Sequence, residues 1–282
     1  MPELPEVETV VRGLRPILVG QRIEQLEVFA PPRSIEITKS VKSATLRHLL
    51  EGQTVESIDR RGKNILIRMQ SSLVLWVHLK MTGQFRHVAI TEPRDTHDLF
   101  VMTLQSTRAS GYELRFNDYR RFGRWRLLTQ AELDSHPSFR TLGPEPLEIS
   151  AEEFCRRAKR TNRQIKAALL DQSFLAGVGN IYADESLWAS RIHPLKPTRS
   201  IAASKLTELH SHIQRLLKLA IKRMGTSVDS YRGVNGQVGS NQSYLKVYGR
   251  EDEPCDRCGK SIRRITIGSR SAHLCVNCQR LK

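Results

Sequence analysis

Four cysteines near the end of the chain constrain local structure more than any other feature. Cys255-x2-Cys258 and Cys275-x2-Cys278 form two knuckles separated by 16 residues, a spacing that suits tetrahedral coordination of one structural Zn2+ by four thiolates. Between the knuckles, Ile262, Ile265 and Ile267 precede Gly268 and Arg270, which predicts a two-stranded hairpin with a basic tip. His273 has ligand chemistry too, but four thiolates already fill the shell, so a non-ligand role is expected for it. Clustering of this kind argues for metal rather than a disulfide framework. The fifth cysteine, Cys155, is expected to be a buried helix residue. Lys260, Arg263, Arg264 and Arg280 surround the knuckles, so the module reads as a nucleic-acid clamp, with a purely structural staple as the alternative.

The rest of the composition agrees with a polyanionic partner. Lys and Arg number 45 against 29 acidic residues, for a net charge of +16 and a pI near 10.1, which favours nucleic acid over membrane. No apolar run approaches the ~20 residues of a membrane span, and Pro-Glu-Leu-Pro-Glu at the start is unlike a signal peptide. A soluble, cytoplasmic monomer is expected. The 282 residues exceed one typical domain and suggest two or three.

Strand-like runs occupy 23–28, 54–59, 65–69, 73–79, 99–104, 113–116 and 125–128, bounded by Gly, Pro, Asn and Asp, and predict an N-terminal β-sandwich with flanking helices over 1–139. Residues 140–149, with two prolines and a glycine, read as a linker. Helices follow in 150–244. Ser150 with Glu153 and Thr161 with Gln164 fit capping-box spacing, Gly177 and Gly179 mark a tight turn between two helices, and 204–223 keeps helical period up to a stop at Gly225. Residues 226–244, rich in Gly, Ser, Asn and Gln, form a long polar loop of the kind that carries function. The zinc module occupies 245–282.

At the other end, removal of Met1 makes Pro2 a free secondary amine beside Glu3 and Glu6. An α-amine titrates near ~8 rather than the ~10.4 of lysine, so more of it is neutral at pH 7 and available for Schiff-base formation. Pro5 suits the first helical position, Glu6 and Glu8 the first turn, and Val7, Val10, Val11 and Leu14 one buried face. A Pro-initiated amphipathic helix with no chemistry has the same pattern. Arg60-Arg61-Gly62-Lys63-Asn64, His78-Leu79-Lys80-Met81-Thr82-Gly83 and Asn117-Asp118-Tyr119-Arg120-Arg121-Phe122-Gly123 each read alone as solvated turns or packing residues, although Arg-Arg-Phe also suits a wedge between stacked bases.

Taken in order, these segments resemble the bacterial formamidopyrimidine-DNA glycosylases. The opening P-E-L-P-E-V-E-T, the Leu-Gly-Pro-Glu-Pro-Leu linker, Gly177-Val178-Gly179-Asn180-Ile181-Tyr182-Ala183-Asp184-Glu185 and Val247-Tyr248-Gly249-Arg250 carry the likeness. It implies an α+β multidomain fold, namely a β-sandwich, a helix-two-turn-helix domain with a lesion-recognition loop over 226–244, and a β-hairpin zinc finger. It also implies base excision repair, with oxidised purines excised from damaged double-stranded DNA by base flipping, followed by β,δ-elimination.

Residue by residue, the resemblance makes Pro2 the Schiff-base nucleophile, Glu3 the acid that protonates the sugar ring oxygen, and Glu6 their support. Lys63 matches a strand lysine near the lesion phosphate and sugar. Met81, Arg120 and Phe122 match the residues that fill the gap left by the flipped nucleotide. His78, Lys166, Asn180, Tyr248 and Arg270 match phosphate-binding positions, Arg270 also in the later elimination; His97 matches only part of its segment. The alternatives are an endonuclease VIII-like glycosylase for oxidised pyrimidines and a non-catalytic zinc-containing DNA-binding protein.

Overall fold

The computed structural model describes residues 1–29, 34–37, 45–105, 110–227 and 231–281. They fall into two compact units, Met1–Arg140 with Met224–Ser240, and Thr141–Arg223 with Asn241–Lys282.

The first unit opens with helix α1 (Leu4–Leu18), whose stripe of Val7, Val10, Val11, Leu14 and Leu18 is buried. Leu4 is the first helical residue, so Pro5 takes the second position, and only Glu6 lies in the first turn. Glu8 instead pairs with Arg12 at 2.8 Å and Arg60 at 3.0 Å. Strands β1 (Ile23–Val28) and β2 (Ser34–Ile37) and helix α2 (Leu46–Leu50) follow. The later strands are β3 (Val55–Arg61), β4 (Asn64–Met69), β5 (Leu73–His78), β6 (Gln84–Ala89), β7 (Asp98–Leu104), β8 (Tyr112–Asn117) and β9 (Arg124–Thr129).

Two sheets form, ordered β1-β7-β8-β6 and β2-β9-β5-β4-β3. They share one core, in which Leu26, Phe100, Leu114 and Phe116 meet Ile65, Ile67, Leu75, Val77, Trp125 and Leu127. The other face of the second sheet is also covered: Leu66, Val74, Trp76 and Leu128 pack with Leu133 of helix α3 (Gln130–Ser135). Burial on both faces explains why Ile65–Ile67 and Val74–Val77 are continuously apolar rather than alternating. A short helix α4 (Pro137–Arg140) closes the unit.

Two strands escaped the sequence patterns. β2 has four residues and pairs parallel to β9, and β6 carries Gln84, Arg86 and His87 on a half-buried ribbon, so neither shows an apolar run.

In the second unit, helices α5 (Ala151–Lys159), α6 (Ile165–Leu170), α7 (Asn180–Ala189) and α8 (Ala203–Lys222) precede the hairpin β10 (Arg263–Ile267) and β11 (Arg270–Leu274). Ser150 caps α5, its Oγ accepting the Glu153 N–H at 3.2 Å. Thr161 caps nothing: α6 starts at Ile165 after Gln164, while the Thr161 carbonyl accepts the Thr198 hydroxyl at 2.6 Å. Cys155 is half-buried rather than buried, with Sγ 3.6 Å from Thr207 Oγ1.

Residues 142–144, expected to be linker, pack against the turn after α6. Gly143 N–H donates to the Gln172 carbonyl at 2.8 Å, and a Cβ there would stand 2.5 Å from the Ser173 carbonyl oxygen. Only glycine permits that approach. Among the described residues no helix is long and apolar enough to cross a membrane.

Candidate active site

Pro2 is buried, and Glu3 and Glu6 are 3 % and 2 % exposed. A reciprocal capping box locks them: the Glu3 side chain accepts the Glu6 N–H, and Glu6 Oε2 accepts the Glu3 N–H at 2.8 Å. The other Glu6 oxygen accepts the Thr226 N–H at 2.8 Å, and the Tyr231 hydroxyl donates to the Glu6 carbonyl at 3.2 Å. Residues Met224–Ser240 therefore cluster with the first unit and not with the helices whose chain they continue. Val234 is buried in the sandwich core, and its carbonyl accepts the His87 N–H at 2.9 Å. Of the 226–244 loop, residues 228–230 lie outside the described residues. Pro2 lines a cleft of about 10 Å³ with Leu79, Met81, Thr82, Gln84, Tyr231 and Arg232.

Lys63 sits in the two-residue turn between β3 and β4, 5 % exposed, after Gly62 at φ +58°. Asn64 braces this turn by donating to the Arg61 carbonyl at 2.9 Å and accepting from Trp76 Nε1 at 2.8 Å. The ring of His78 is only partly exposed. Desolvation, then the charges of Lys80, Lys63, Arg124 and Arg126, push its pKa down to about 3. Nδ1 accepts the Lys80 N–H at 3.0 Å, so the neutral ring carries its proton on Nε2, a donor suited to an anion. The unfolded chain binds that proton near ~6.5, so His78 lowers stability as pH falls from there toward about 3.

Met81, Arg120 and Phe122 lie on two turns tied together by a buried acid. Asp118 accepts from Thr82 Oγ1 through one oxygen and from the Gly123 N–H at 2.7 Å through the other. Thr82 Oγ1 in turn accepts the Arg120 N–H at 3.3 Å. Gly83 is required at this junction, because a Cβ there would stand 2.6 Å from the Leu79 carbonyl oxygen. Phe122 is 40 % exposed with the Arg120 guanidinium 4.6 Å from its ring centre. Such a ring, held out on a rigid turn, suits insertion between bases. His97 is half-buried and held by Asp95, which accepts from its N–H at 2.8 Å and meets Nδ1 at 2.9 Å. The loop before β7 is anchored by buried Arg115, which donates to the Glu92 and Pro93 carbonyls at 2.6 and 3.0 Å.

In the second unit an acid pair on α7 organises the remaining residues. Asp184 accepts from Lys166 Nζ through Oδ1 and from the His273 N–H at 2.9 Å through Oδ2. Lys166 is fully buried and also donates to the Ser271 carbonyl at 2.6 Å, a setting that suits holding the hairpin more than direct phosphate contact. His273 binds Asp184 and stands outside the cysteine cluster. Glu185 accepts the N–H groups of Lys246, Val247 and Tyr248, each at 2.9 Å to its nearer oxygen. Burial pushes this carboxyl's pKa up, against the pull of the three donors. Asn180 opens α7 with Nδ2 3.5 Å from Ser271 Oγ, and Arg270 is exposed beside the hairpin turn at Gly268.

Asp118, Asp184 and Glu185 were not singled out from the sequence as site residues. The available signal was two acids inside an otherwise apolar helix, Tyr182-Ala183-Asp184-Glu185-Ser186-Leu187.

The Sγ atoms of Cys255, Cys258, Cys275 and Cys278 lie within 4.8 Å of one another. Zn–S bonds of ~2.3 Å give tetrahedral S···S edges of about 3.8 Å, so the four thiols fit one zinc after minor contraction. Trp188 Nε1 donates to Cys255 Sγ at 3.4 Å, and Arg257 covers that indole at 4.1 Å. Bound zinc would fix the knuckles that carry the hairpin.

The chain matches three family profiles: the formamidopyrimidine-DNA glycosylase N-terminal domain over residues 1–125, the formamidopyrimidine-DNA glycosylase H2TH domain over 142–232, and the zinc finger found in FPG and IleRS over 252–281. It is 42 % identical to the formamidopyrimidine-DNA glycosylase of Herpetosiphon aurantiacus, covering 99 % of this chain and 100 % of that one. It is 41 % identical to the enzyme of Lactiplantibacillus plantarum, covering 100 % of both. Among solved structures, Lactococcus lactis Fpg in complex with an abasic-site DNA superposes with a TM-score of 0.89 at 35 % identity, covering 99 % of this chain and 100 % of that one. Thermus thermophilus Fpg gives 0.85 at 36 %, covering 99 % and 98 %.

Proposed function

Because the chain belongs to the formamidopyrimidine-DNA glycosylase family, we propose that it is a bifunctional DNA glycosylase and abasic-site lyase of base excision repair that removes oxidised purines from duplex DNA. The observation that carries the chemistry is the Pro2-Glu3 terminus, buried and locked by Glu6 beside the cleft lined by Met81. A point mutant of the Lactococcus lactis relative has been crystallised with Fapy-dG-containing DNA, and the Lactococcus lactis protein with abasic-site DNA, which supports the substrate class.

A glycosylase must extrude its target nucleotide from the duplex to reach the bond it breaks. Met81, Arg120 and Phe122 fill the vacated stack. The neutral Pro2 nitrogen, exposed once Met1 is removed, attacks C1′. The electron pair of the C1′–base bond leaves with the base, the attached nitrogen gives up its N–H proton to the departing base, and Glu3 protonates the ring oxygen as the sugar opens. The nitrogen lone pair then forms the C1′ iminium. That cation acidifies the C2′ proton, so its removal expels the 3′ phosphate, and a second elimination expels the 5′ phosphate.

Lys63 works near the lesion phosphate and sugar, and Arg270 serves the later elimination. His78, His97, Asn180 and Tyr248 bind phosphates, with Lys166 holding the hairpin. The zinc takes part in no chemical step. Such an enzyme would act in the bacterial cytoplasm, on the DNA of the nucleoid.

Release of 8-oxoguanine should exceed release of thymine glycol from otherwise identical duplexes by at least about tenfold, the scale of 1.4 kcal/mol in transition-state binding. The reverse preference would assign the chain to the oxidised-pyrimidine enzymes. Replacing Phe122 by Ala should slow excision from duplex by roughly ten- to a hundredfold, matching a few kcal/mol of unstacking. Cleavage at a preformed abasic site should change far less; equal losses on both substrates would reject the wedge role.

A further inference from the structure

We infer that Arg232 keeps the Pro2 amine neutral, and hence nucleophilic, by standing in the same cleft as a cation that no acid among the described residues pairs with. Pro2 and Arg232 line one small cavity, and the other side chains there are those of Val10, Leu79, Met81, Thr82, Gln84 and Tyr231. Among the described residues Arg232 is the only charged one in that lining. Among the described residues its one side-chain hydrogen bond runs from NH1 to the neighbouring Tyr231 carbonyl at 2.8 Å, and no carboxylate pairs with it. Its position is fixed from both sides in sequence: the Tyr231 hydroxyl holds the Glu6 carbonyl at 3.2 Å, and Val234 is buried in the core.

The inference rests on Pro2 as nucleophile and adds what sets its protonation. Glu3 is buried next to Pro2 in sequence, and Glu6, whose carboxylate braces Glu3, is buried in the first turn of α1. Carboxylates raise the pKa of a neighbouring amine, so from its ordinary value near ~8 the Pro2 nitrogen would be driven further into the protonated form, which has no lone pair to attack with. A guanidinium is charged at every relevant pH and acts in the opposite sense. Tyr231, the other titratable group of the cleft, adds no charge, because burial and then the Glu6 charge push its pKa upward.

The same cation also disfavours the iminium, which Glu3 and Glu6 offset. Removing it therefore has opposite effects on the two sides of the amine pKa, and that crossing distinguishes tuning from simple contact with DNA.

The experiment is single-turnover borohydride trapping on a duplex with a preformed abasic site, followed from about pH 5.5 to 9.5, with the full-length zinc-loaded protein. Arg232→Met should move the acid limb of the rate profile upward by on the order of one pH unit. It should trap several-fold more slowly near pH 6 and as fast as or faster than wild type above pH 9. Arg232→Lys, which restores a cation, should restore the limb, and unchanged melting temperature and zinc content would show that the fold is intact. An unmoved limb, with or without weaker DNA binding, overturns the role given to Arg232 while an adduct on Pro2 leaves the nucleophile standing. An adduct on Lys63 removes both.

Discussion

Glu3→Gln should lower release of 8-oxoguanine from duplex DNA by roughly a thousandfold, within the ~10²–10⁴ range of a positioned acid, and should reduce cleavage at a preformed abasic site by no more than about tenfold. Glutamine is close in size to glutamate and keeps an oxygen to accept the Glu6 N–H of the capping box, so the helix start should survive. What it loses is the proton. Base release needs that proton at the sugar oxygen while the C1′ bond breaks, whereas a preformed abasic site has no base to expel. Glu6 cannot take over, because its two oxygens accept the Glu3 and Thr226 N–H groups at 2.8 Å each. Equal losses on both substrates would reassign Glu3 to holding the terminus.

Loss of the metal site should be as severe by a different route. Cys255 is buried with Val247, Ile262 and Cys275 against Trp188, and its sulfur accepts the indole N–H at 3.4 Å. Cys255→Ser leaves three thiols for a four-thiolate site, and zinc binding in such modules supplies roughly 10–16 kcal/mol of apparent folding free energy. The hairpin bearing Arg270 and the 246–248 segment held by Glu185 would lose their support. With two or three charge-assisted phosphate contacts gone, at ~1.5–3 kcal/mol each, DNA affinity should fall by at least about a hundredfold in a filter-binding or fluorescence titration. Zinc content measured on the same sample should drop with it. Unchanged affinity in zinc-free protein would show that the finger is a staple with no part in binding.

The parts of the fold legible in the sequence were those whose burial leaves a periodic trace. β1 falls on 23–28 as its apolar pattern predicts, α8 ends at Lys222, one residue before the 223 expected, and the hairpin turns at Gly268. What stayed hidden depends on long-range partners. β2 is defined by its parallel register with β9 and β6 by pairing with β8, and neither pairing shows in a short polar segment. Thr161 has the spacing of a cap, yet Gln164 and Pro197 form a bridge there that delays the helix. Glu8 looked like a dipole partner and instead reaches Arg60 on β3, 52 residues away.

At the site, the cysteines and the amine of Pro2 could be proposed from local chemistry, whereas the role of Glu3 came from the family resemblance. The residues that hold them in place were invisible, because Thr226 meets Glu6 across 220 residues and His273 meets Asp184 across 89. Spacing along the chain carries no record of such closures.

The central claim is that the covalent chemistry belongs to the Pro2 nitrogen, and the competitor is the amine of Lys63, 5 % exposed in the turn between β3 and β4. Borohydride reduction during turnover of 8-oxoguanine DNA fixes the protein to the sugar through whichever amine formed the iminium, and peptide mapping of the adduct identifies it. The expected result is a protein that begins at Pro2, with the sugar remnant on the N-terminal peptide and Lys63 unmodified. An adduct on Lys63 with an unmodified Pro2 would contradict the account.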